Sequence, residues 1–441
     1  MLRLCIAVLV LFAVSVSGCQ ALPRPFPSEL SPAPVSRATA TVTGRPVTVT
    51  PVSELLLSPR RPITLTVWLP DALVPSDNSL TAALLSQQIN TFIASQPDTR
   101  VQMLTKRAQG PGGILELMQT AAPVAPSFLP DVALLDIAKV PVADTSGLIR
   151  PLDSLLPDDL LADLFPFAAV AGRSEDKWIA VAYAVDVEHL AYPSARASAP
   201  ITWGQVMSGA LPYVFPAGAV DGTSQDALLM QYVAAGGRWL DTSGQPMLEA
   251  APLTQMLRQF KDAQQAGLVP ASVLNFNSPD DTWAAYLKAP AQIAHVSASR
   301  FLVERSGITG TLTAAPPGYV EPARLVVHGW AFVVVARNPG RVSASAALIK
   351  WLVSAENEGA LTRSVNLLPV RRSAFDYWYP SDRYTTFLRR ELERAIAPPP
   401  APVAQVIGPA IQKAVADVLR GQLQPPEAAM TAVSTVSRAS K

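Results

Sequence analysis

Two periods of apolar and polar residues alternate along this chain. Ile63-Thr64-Leu65-Thr66-Val67-Trp68-Leu69 steps with period two and predicts a strand; Leu80, Leu84, Ile89, Phe92 and Ile93 then recur at helical spacing behind the capping residues Asn78 and Ser79. Thr99 to Thr105 reads as a second strand, Gly113 to Ala122 as a short helix, and Asp131-Val132-Ala133-Leu134-Leu135-Asp136 as the continuous apolar run of a buried parallel strand. Strand, helix, strand, helix, strand predicts an α/β sheet. Further along, helical spacing covers Ser224 to Ala235, Pro252 to Ala266 and Ser343 to Ser354, with strands at Ala291 to Val296 and Val326 to Ala336. Past Pro380 the pattern is helical, broken by Pro398-Pro399-Pro400 and resumed after Pro425-Pro426.

The first eighteen residues follow another plan. Arg3 precedes an apolar run from Leu4 to about Val16, the layout of an export signal. The run is shorter than the roughly 20 apolar residues that span a bilayer. Val16-Ser17-Gly18-Cys19 resembles the bacterial lipobox, in which an apolar branched residue and two small ones precede a cysteine that receives diacylglycerol. The expectation is a signal peptide over 1–18 and a lipidated Cys19 as first residue of the mature chain. Each buried methylene contributes about 0.8 kcal/mol, so two or three acyl chains hold stably. Residues 19–61, with Pro23, Pro25, Pro27, Pro32, Pro34, Pro46 and Pro51 among Ser, Thr and Val, show no helical periodicity and read as a lipid-anchored tether.

Length and charge narrow the remainder. The 441 residues exceed what one core usually supports, so two domains or lobes are expected. A net charge of +1 without a basic block removes nucleic acid from the expected partners. The two cysteines are Cys5, lost with the signal, and Cys19, taken by lipid, which leaves no disulfide in the mature chain.

Catalytic and metal-binding patterns are missing from the sequence. There is no His-Glu-x-x-His, Gly-x-Ser-x-Gly, Gly-x-x-x-x-Gly-Lys or Cys-x-x-Cys spacing, and His189, His295 and His328 lie far apart without partners at metal-ligand intervals. Asp221 to Asp226 holds a serine without an assignable histidine and reads as a helix cap. Asp158-Asp159 and Asp280-Asp281 stand at predicted helix starts, where carboxylates complement the helix dipole. The expectation is a chain without catalytic centre, cofactor or metal.

A series of landmarks in fixed order resembles the extracellular solute-binding proteins of ABC importers, the group that includes maltose- and other sugar-binding receptors. These are the strand with Trp68, Pro130-Asp131-Val132, Gly147-Leu148-Ile149-Arg150-Pro151-Leu152-Asp153, Trp178 to Asp186, Leu190-Ala191-Tyr192 and Ile201-Thr202-Trp203. Ala235 to Asp241, Gly329-Trp330-Ala331-Phe332, Ala347 to Ser354, Leu367 to Arg371 and Leu419 to Met430 complete the order. The resemblance runs from about Ile63 to Val436. It implies a two-lobed periplasmic-binding-protein-like fold (type II), its lobes joined by crossing hinge strands and closing on a ligand in the cleft. Lobe 1 is expected over 62–183 plus 297–342 and lobe 2 over 184–296 plus 343–441, with crossings near Ala182 to Asp186 and Ala294 to Ser297.

A sugar offers C–H faces to aromatic rings and hydroxyl edges to polar side chains. Carried over position by position, the resemblance nominates Trp68, Tyr183, Asp186, Gly329 and Trp330 as ligand-binding, with Trp283 and Arg371 added. Each has a structural alternative: core packing for the tryptophans and Tyr183, and a hinge hydrogen-bond acceptor for Asp186. Leu69-Pro70-Asp71 and His295-Val296-Ser297-Ala298 depart from the turns common in relatives. The implied function is a membrane-anchored monomer on the extracytoplasmic side that captures a small polar solute, a sugar in the first instance, and delivers it to permease subunits. A chain of the same fold serving as an interaction or sensory partner without a transport ligand is the alternative.

Overall fold

The strand order follows from which apolar runs can be buried on both faces. β1 (Ile63–Pro70) pairs in parallel with β2 (Thr99–Lys106) on one side and with β3 (Val132–Asp136) on the other. Val132 to Leu135 are all buried, as expected of a strand covered by helices on both sides. A two-stranded ribbon, β4 (Arg173–Ser174) with β5 (Lys177–Trp178), precedes β6 (Val181–Pro193), which has thirteen residues. β7 (Tyr213–Val214), β8 (Ile293–Ser297), β9 (Thr311–Ala314), β10 (Val327–Val334) and β11 (Leu368–Pro369) complete the set. The main path runs β2-β1-β3-β10-β6-β8-β7, with β9 and β11 also on β6. This computed structural model describes residues 62–74, 79–196, 198–218 and 225–440. The signal peptide, Cys19, the tether, Asn78, and the start of the helix expected from Ser224 with the cap before it lie outside the described residues.

β6 belongs to both halves of the molecule. Its first part, Val181 to Val187, pairs antiparallel with β10 and, at Ala184 and Val185, with β11. Its second part, from Glu188, pairs with β8 and β9. One continuous strand thus leaves the first half and enters the second between Val187 and Glu188. The chain returns between Ala314 and Val327, since β9 pairs the second part of β6 and β10 the first. It leaves again between Trp378 and Arg383: the helix Phe375–Trp378 packs on the helix Ala355–Ser364 in the first half, and the helix Arg383–Leu392 packs on β9 in the second.

These contacts correct two expectations. Ala294 to Ser297 is not a crossing, because β8 lies wholly in the second half and the helix Ala298–Glu304 that follows packs on β6 and β8. The expected boundaries also shift. The helix Pro339–Leu352 packs on β1 and β10 and the helix Ala355–Ser364 on the helix Ser79–Ser95, so 343 to 378 belongs with the first half. Residues 297 to 314 belong with the second. Helical periodicity shows which face is buried but not which sheet covers it, hence the misplacement.

The paired acids have structural tasks. Asp158 and Asp159 stand in the first turn of the helix Asp158–Asp163, and Asp281 forms a capping box with Ser278 at the start of Pro279–Lys288.

Candidate functional site

In parallel α/β sheets the carboxyl ends of the strands open onto a crevice where ligands sit. Here those ends bring together Trp68 near the end of β1 and Asp71 just after it, Lys106 at the end of β2 and Asp136 at the end of β3. Asp71 Oδ1 accepts a hydrogen bond from the Ala108 N–H at 3.0 Å, which ties the two loops together. Gln109 Nε2 donates to Asp136 Oδ2 at 3.2 Å, and Asp136 Oδ1 accepts from Ala138 N at 2.9 Å. Lys106 Nζ stands 5.4 Å from the centre of the Trp68 ring, a cation–π contact. The Trp68 ring is otherwise buried, and its Nε1 has no hydrogen-bond partner among the described residues.

The antiparallel strand β10 meets these ends from the opposite direction. Trp330 is half-buried and lies in register with Asp136 on β3 and with Ala184 on β6, next to a register shift between Trp330 and Ala331. Gly329, at φ +155°, runs so close to β6 that a Cβ would lie 2.2 Å from the Ala184 carbonyl oxygen. Only a residue without a side chain fits this close approach of β10 to β6.

Polar groups from both halves meet at the crossing. Asp186, one residue before the strand changes halves, accepts from Ser299 N at 3.0 Å and from the Ser299 hydroxyl, joining β6 to the helix Ala298–Glu304. Burial raises the Asp186 carboxyl to about 6, against the hydrogen bonds from Ser299 and Val187 and the charge of His328. His328 Nε2 lies 2.7 Å from Oδ1 of Asp226, the first residue of the helix Asp226–Ala234. That helix packs in the second half, on the helices Ala250–Gln265 and Ala401–Leu419. Desolvation on the side facing the site would push the His328 imidazole down, but the carboxylates of Asp226, Asp136 and Asp186 outweigh it and raise it to about 9, with the side chain still 46% exposed. His328 is a site residue that sequence reasoning missed: with β10 and the helix from Asp226 read as separate elements, nothing in the spacing paired residues 102 apart.

Beside Asp136, a cavity of about 360 Å³ opens between the halves. Ile137, Ala138 and Phe167 line one side of it, and Trp239 and Leu240 the other. Among the described residues no three His, Cys, Asp or Glu side chains are grouped to hold a metal ion.

Three nominated residues are committed elsewhere. Tyr183 is buried in the first half with its ring 4.8 Å from that of Phe332, and burial and Glu358 raise its hydroxyl well above the usual value. Trp283 is buried in the second half, stacked on Tyr286 at 5.2 Å, with Nε1 donating to Glu304 at 2.6 Å. Arg371 donates to Asp163 at 2.9 Å and to the Val353 carbonyl at 2.8 Å. Trp283 has neither surface nor donor left for a solute, Tyr183 is buried with its hydroxyl unpaired among the described residues, and Arg371 is turned to the protein. His295 is likewise a satisfied buried histidine, between the Tyr213 hydroxyl at 2.6 Å and the Glu188 carboxyl.

A family-profile comparison matches residues 101–386 to the bacterial extracellular solute-binding proteins. The chain belongs to that family. Known solved structures agree on the fold of this solute-binding protein. The cyclic α-maltosyl-1,6-maltose binding protein of Arthrobacter globiformis superposes with a TM-score of 0.69 at 18% identity, covering 86% of this chain and 98% of that one. The GacH receptor of Streptomyces glaucescens, solved unliganded and with acarbose, gives 0.61 at 20% identity, over 86% and 98%. An ABC transporter solute-binding protein of Thermotoga lettingae bound to α-D-tagatose gives 0.62 at 19%, over 86% and 100%. No curated protein matches this solute-binding protein by sequence. The two-lobed type II fold is therefore its architecture, and its family places it outside the cytoplasm and among binding proteins rather than enzymes. Among the described residues no helix is long and apolar enough to cross a membrane.

Proposed function

We propose that this solute-binding protein captures a small polar solute, a carbohydrate in the first instance, between its two halves and delivers it to the permease of an ABC importer. The observation that carries the reading is the crossing itself: Asp186 and His328 from one half and Ser299 and Asp226 from the other converge where a single strand joins the two. Polar groups placed in this way bind best when the halves close, so that solute affinity and closure are one equilibrium. The neighbours solved with maltosyl, acarbose or tagatose ligands support a sugar as the solute class. Trp330 supplies a half-buried ring, and Asp136, Gln109 and Lys106 supply donors and acceptors for hydroxyl edges.

In this reading Gly329 acts through its lack of a side chain, and Trp68 through the lysine that covers it. Tyr183, Trp283 and Arg371 hold the two halves in shape. The lipobox-like Val16-Ser17-Gly18-Cys19 supports export, cleavage, and lipid on Cys19, and the proline-rich stretch after it supports a tether that holds a monomer near the permease on the outer face of the cell membrane.

A thermal-shift panel of maltose, maltotetraose, acarbose and tagatose tests the solute class. A ligand that binds only the native state raises the melting temperature, by RT ln(1 + [L]/Kd) in free energy. A rise with at least one sugar, lost in Trp330→Ala, is the expected result. No rise with any of them would withdraw the carbohydrate reading.

A further inference from the structure

We propose that His328 and Asp226 are a positioning pair that latches the two halves together beside the first crossing, before any solute enters. The reading goes beyond solute capture and does not depend on which solute is bound.

The pair bridges the two halves, with His328 half exposed and Asp226 largely covered. His328 stands near the start of β10, whose partners β3 and the first part of β6 are in the first half. Asp226 opens a helix held wholly by the second half, where Gln231 on the same helix receives the Trp203 indole N–H at 2.8 Å and donates to the Pro317 carbonyl at 2.8 Å. The two side chains meet at 2.7 Å. Neither anchor can follow the other when the halves part: one is strapped into a sheet, the other into a helical layer. Opening must therefore break this bond, and closing must remake it.

The surroundings favour a charged imidazole in the closed form. The titratable groups around His328 are Asp226 on the helix, Asp136 at the end of β3, and Asp186 and Glu188 on β6. Asp226, Asp136 and Asp186 together raise the ring to about 9, although it keeps nearly half its surface exposed. With the halves apart, Asp226 leaves while Asp136 and Asp186 remain, and the ring's pKa falls from its closed value. Closure then takes up a proton. The sign follows from linkage: the latch is strongest at low pH and is lost as pH rises through about 9. A charge-assisted bond whose histidine is half exposed shifts an open-to-closed ratio by about two- to fivefold.

The test is a distance measurement without solute. In the full chain with Cys5 and Cys19 replaced by serine, Val124→Cys and Leu287→Cys place spin labels on exposed positions, one in each half. Pulsed electron resonance should then show the main separation in the unaltered site moving to longer values in His328→Ala and, less, in Asp226→Asn. The double variant should move no further than His328→Ala alone. Unchanged separations in both single variants, or shifts that add in the double variant, would overturn the latch. Should His328→Ala fold poorly, the pH series decides alone: the separation should lengthen between about pH 7 and about pH 10 with histidine present and stay constant in His328→Gln. A flat series with histidine present contradicts the proposal even if every sugar binds, and a lengthening one supports it even if none does.

Discussion

Gly329 has no side chain because β6 occupies the space, with the Ala184 carbonyl oxygen 2.2 Å from where a Cβ would sit. Gly329→Ala should lower stability by about 3 kcal/mol and displace Trp330, which chemical denaturation with intrinsic fluorescence will show as a lower midpoint. Glu358 is the opposite case, a charge-bearing group kept neutral. Burial raises its carboxyl from 4.5 to about 8, against hydrogen bonds from the Val370 and Arg371 N–H groups and the charge of Arg371. The folded state holds the proton up to about 8 while the unfolded chain releases it near 4.5, so this group's contribution to stability is full below 4.5 and falls as pH rises toward 8. The slope is about 1.4 kcal/mol per pH unit. Denaturation midpoints of Glu358→Gln should lack that decline; an equal decline in both proteins would place its cause elsewhere. Trp283 shows why single residues were hard to read from sequence. An aromatic residue on a helix looks the same whether it faces a solute or a neighbour, and only the Glu304 carboxylate at its Nε1 reveals which. Trp283→Phe should cost about 2 kcal/mol of stability and leave solute affinity unchanged.

At the scale of elements, periodicity was a good guide wherever one face of the sheet decided burial. The strands β1, β2 and β3 and the helices Ala250–Gln265 and Pro339–Leu352 lie within a few residues of where their patterns place them. The strand that joins the halves was legible only in part. Trp178 to Asp186 and Leu190 to Tyr192 read as two separate pieces, because Glu188 and His189 interrupt the apolar run. Both are buried in the fold, Glu188 against His295 and His189 against Tyr384 at 2.7 Å, so they continue the strand instead of ending it. Polar residues whose partners lie 107 and 195 positions away carry no local signal. Asp186 then acts on an element other than its own: its carboxylate accepts from the first turn of the helix Ala298–Glu304 across the strand. Asp186→Ala leaves the Ser299 N–H without that acceptor and should cost about 1–2 kcal/mol. If Asp186 also meets solute, Asp186→Ala weakens binding by more than Ser299→Ala does, which titration of both variants with the same sugar will resolve.

At the scale of the whole molecule, three connections join two halves that share one strand, and groups from both halves meet at the first of them. The order of landmarks along the sequence implied this architecture. The assignment of the last hundred residues did not follow from it, since helices that end one half and begin the other are equally amphipathic. Cys19 gives the molecule its place in this account: Cys19→Ser should release the protein from the membrane fraction without changing its melting temperature. The central claim is that the crossing is a binding site for a polar solute which closes the two halves. Isothermal titration of the full chain carrying Cys5→Ser and Cys19→Ser with maltose, maltotetraose, acarbose and tagatose tests it most directly. Saturable binding of at least one of these at one solute per chain is expected, weakened on the order of tenfold or more by Trp330→Ala. No heat of binding with any of them, or binding that Trp330→Ala and Asp186→Ala both leave unchanged, would contradict it.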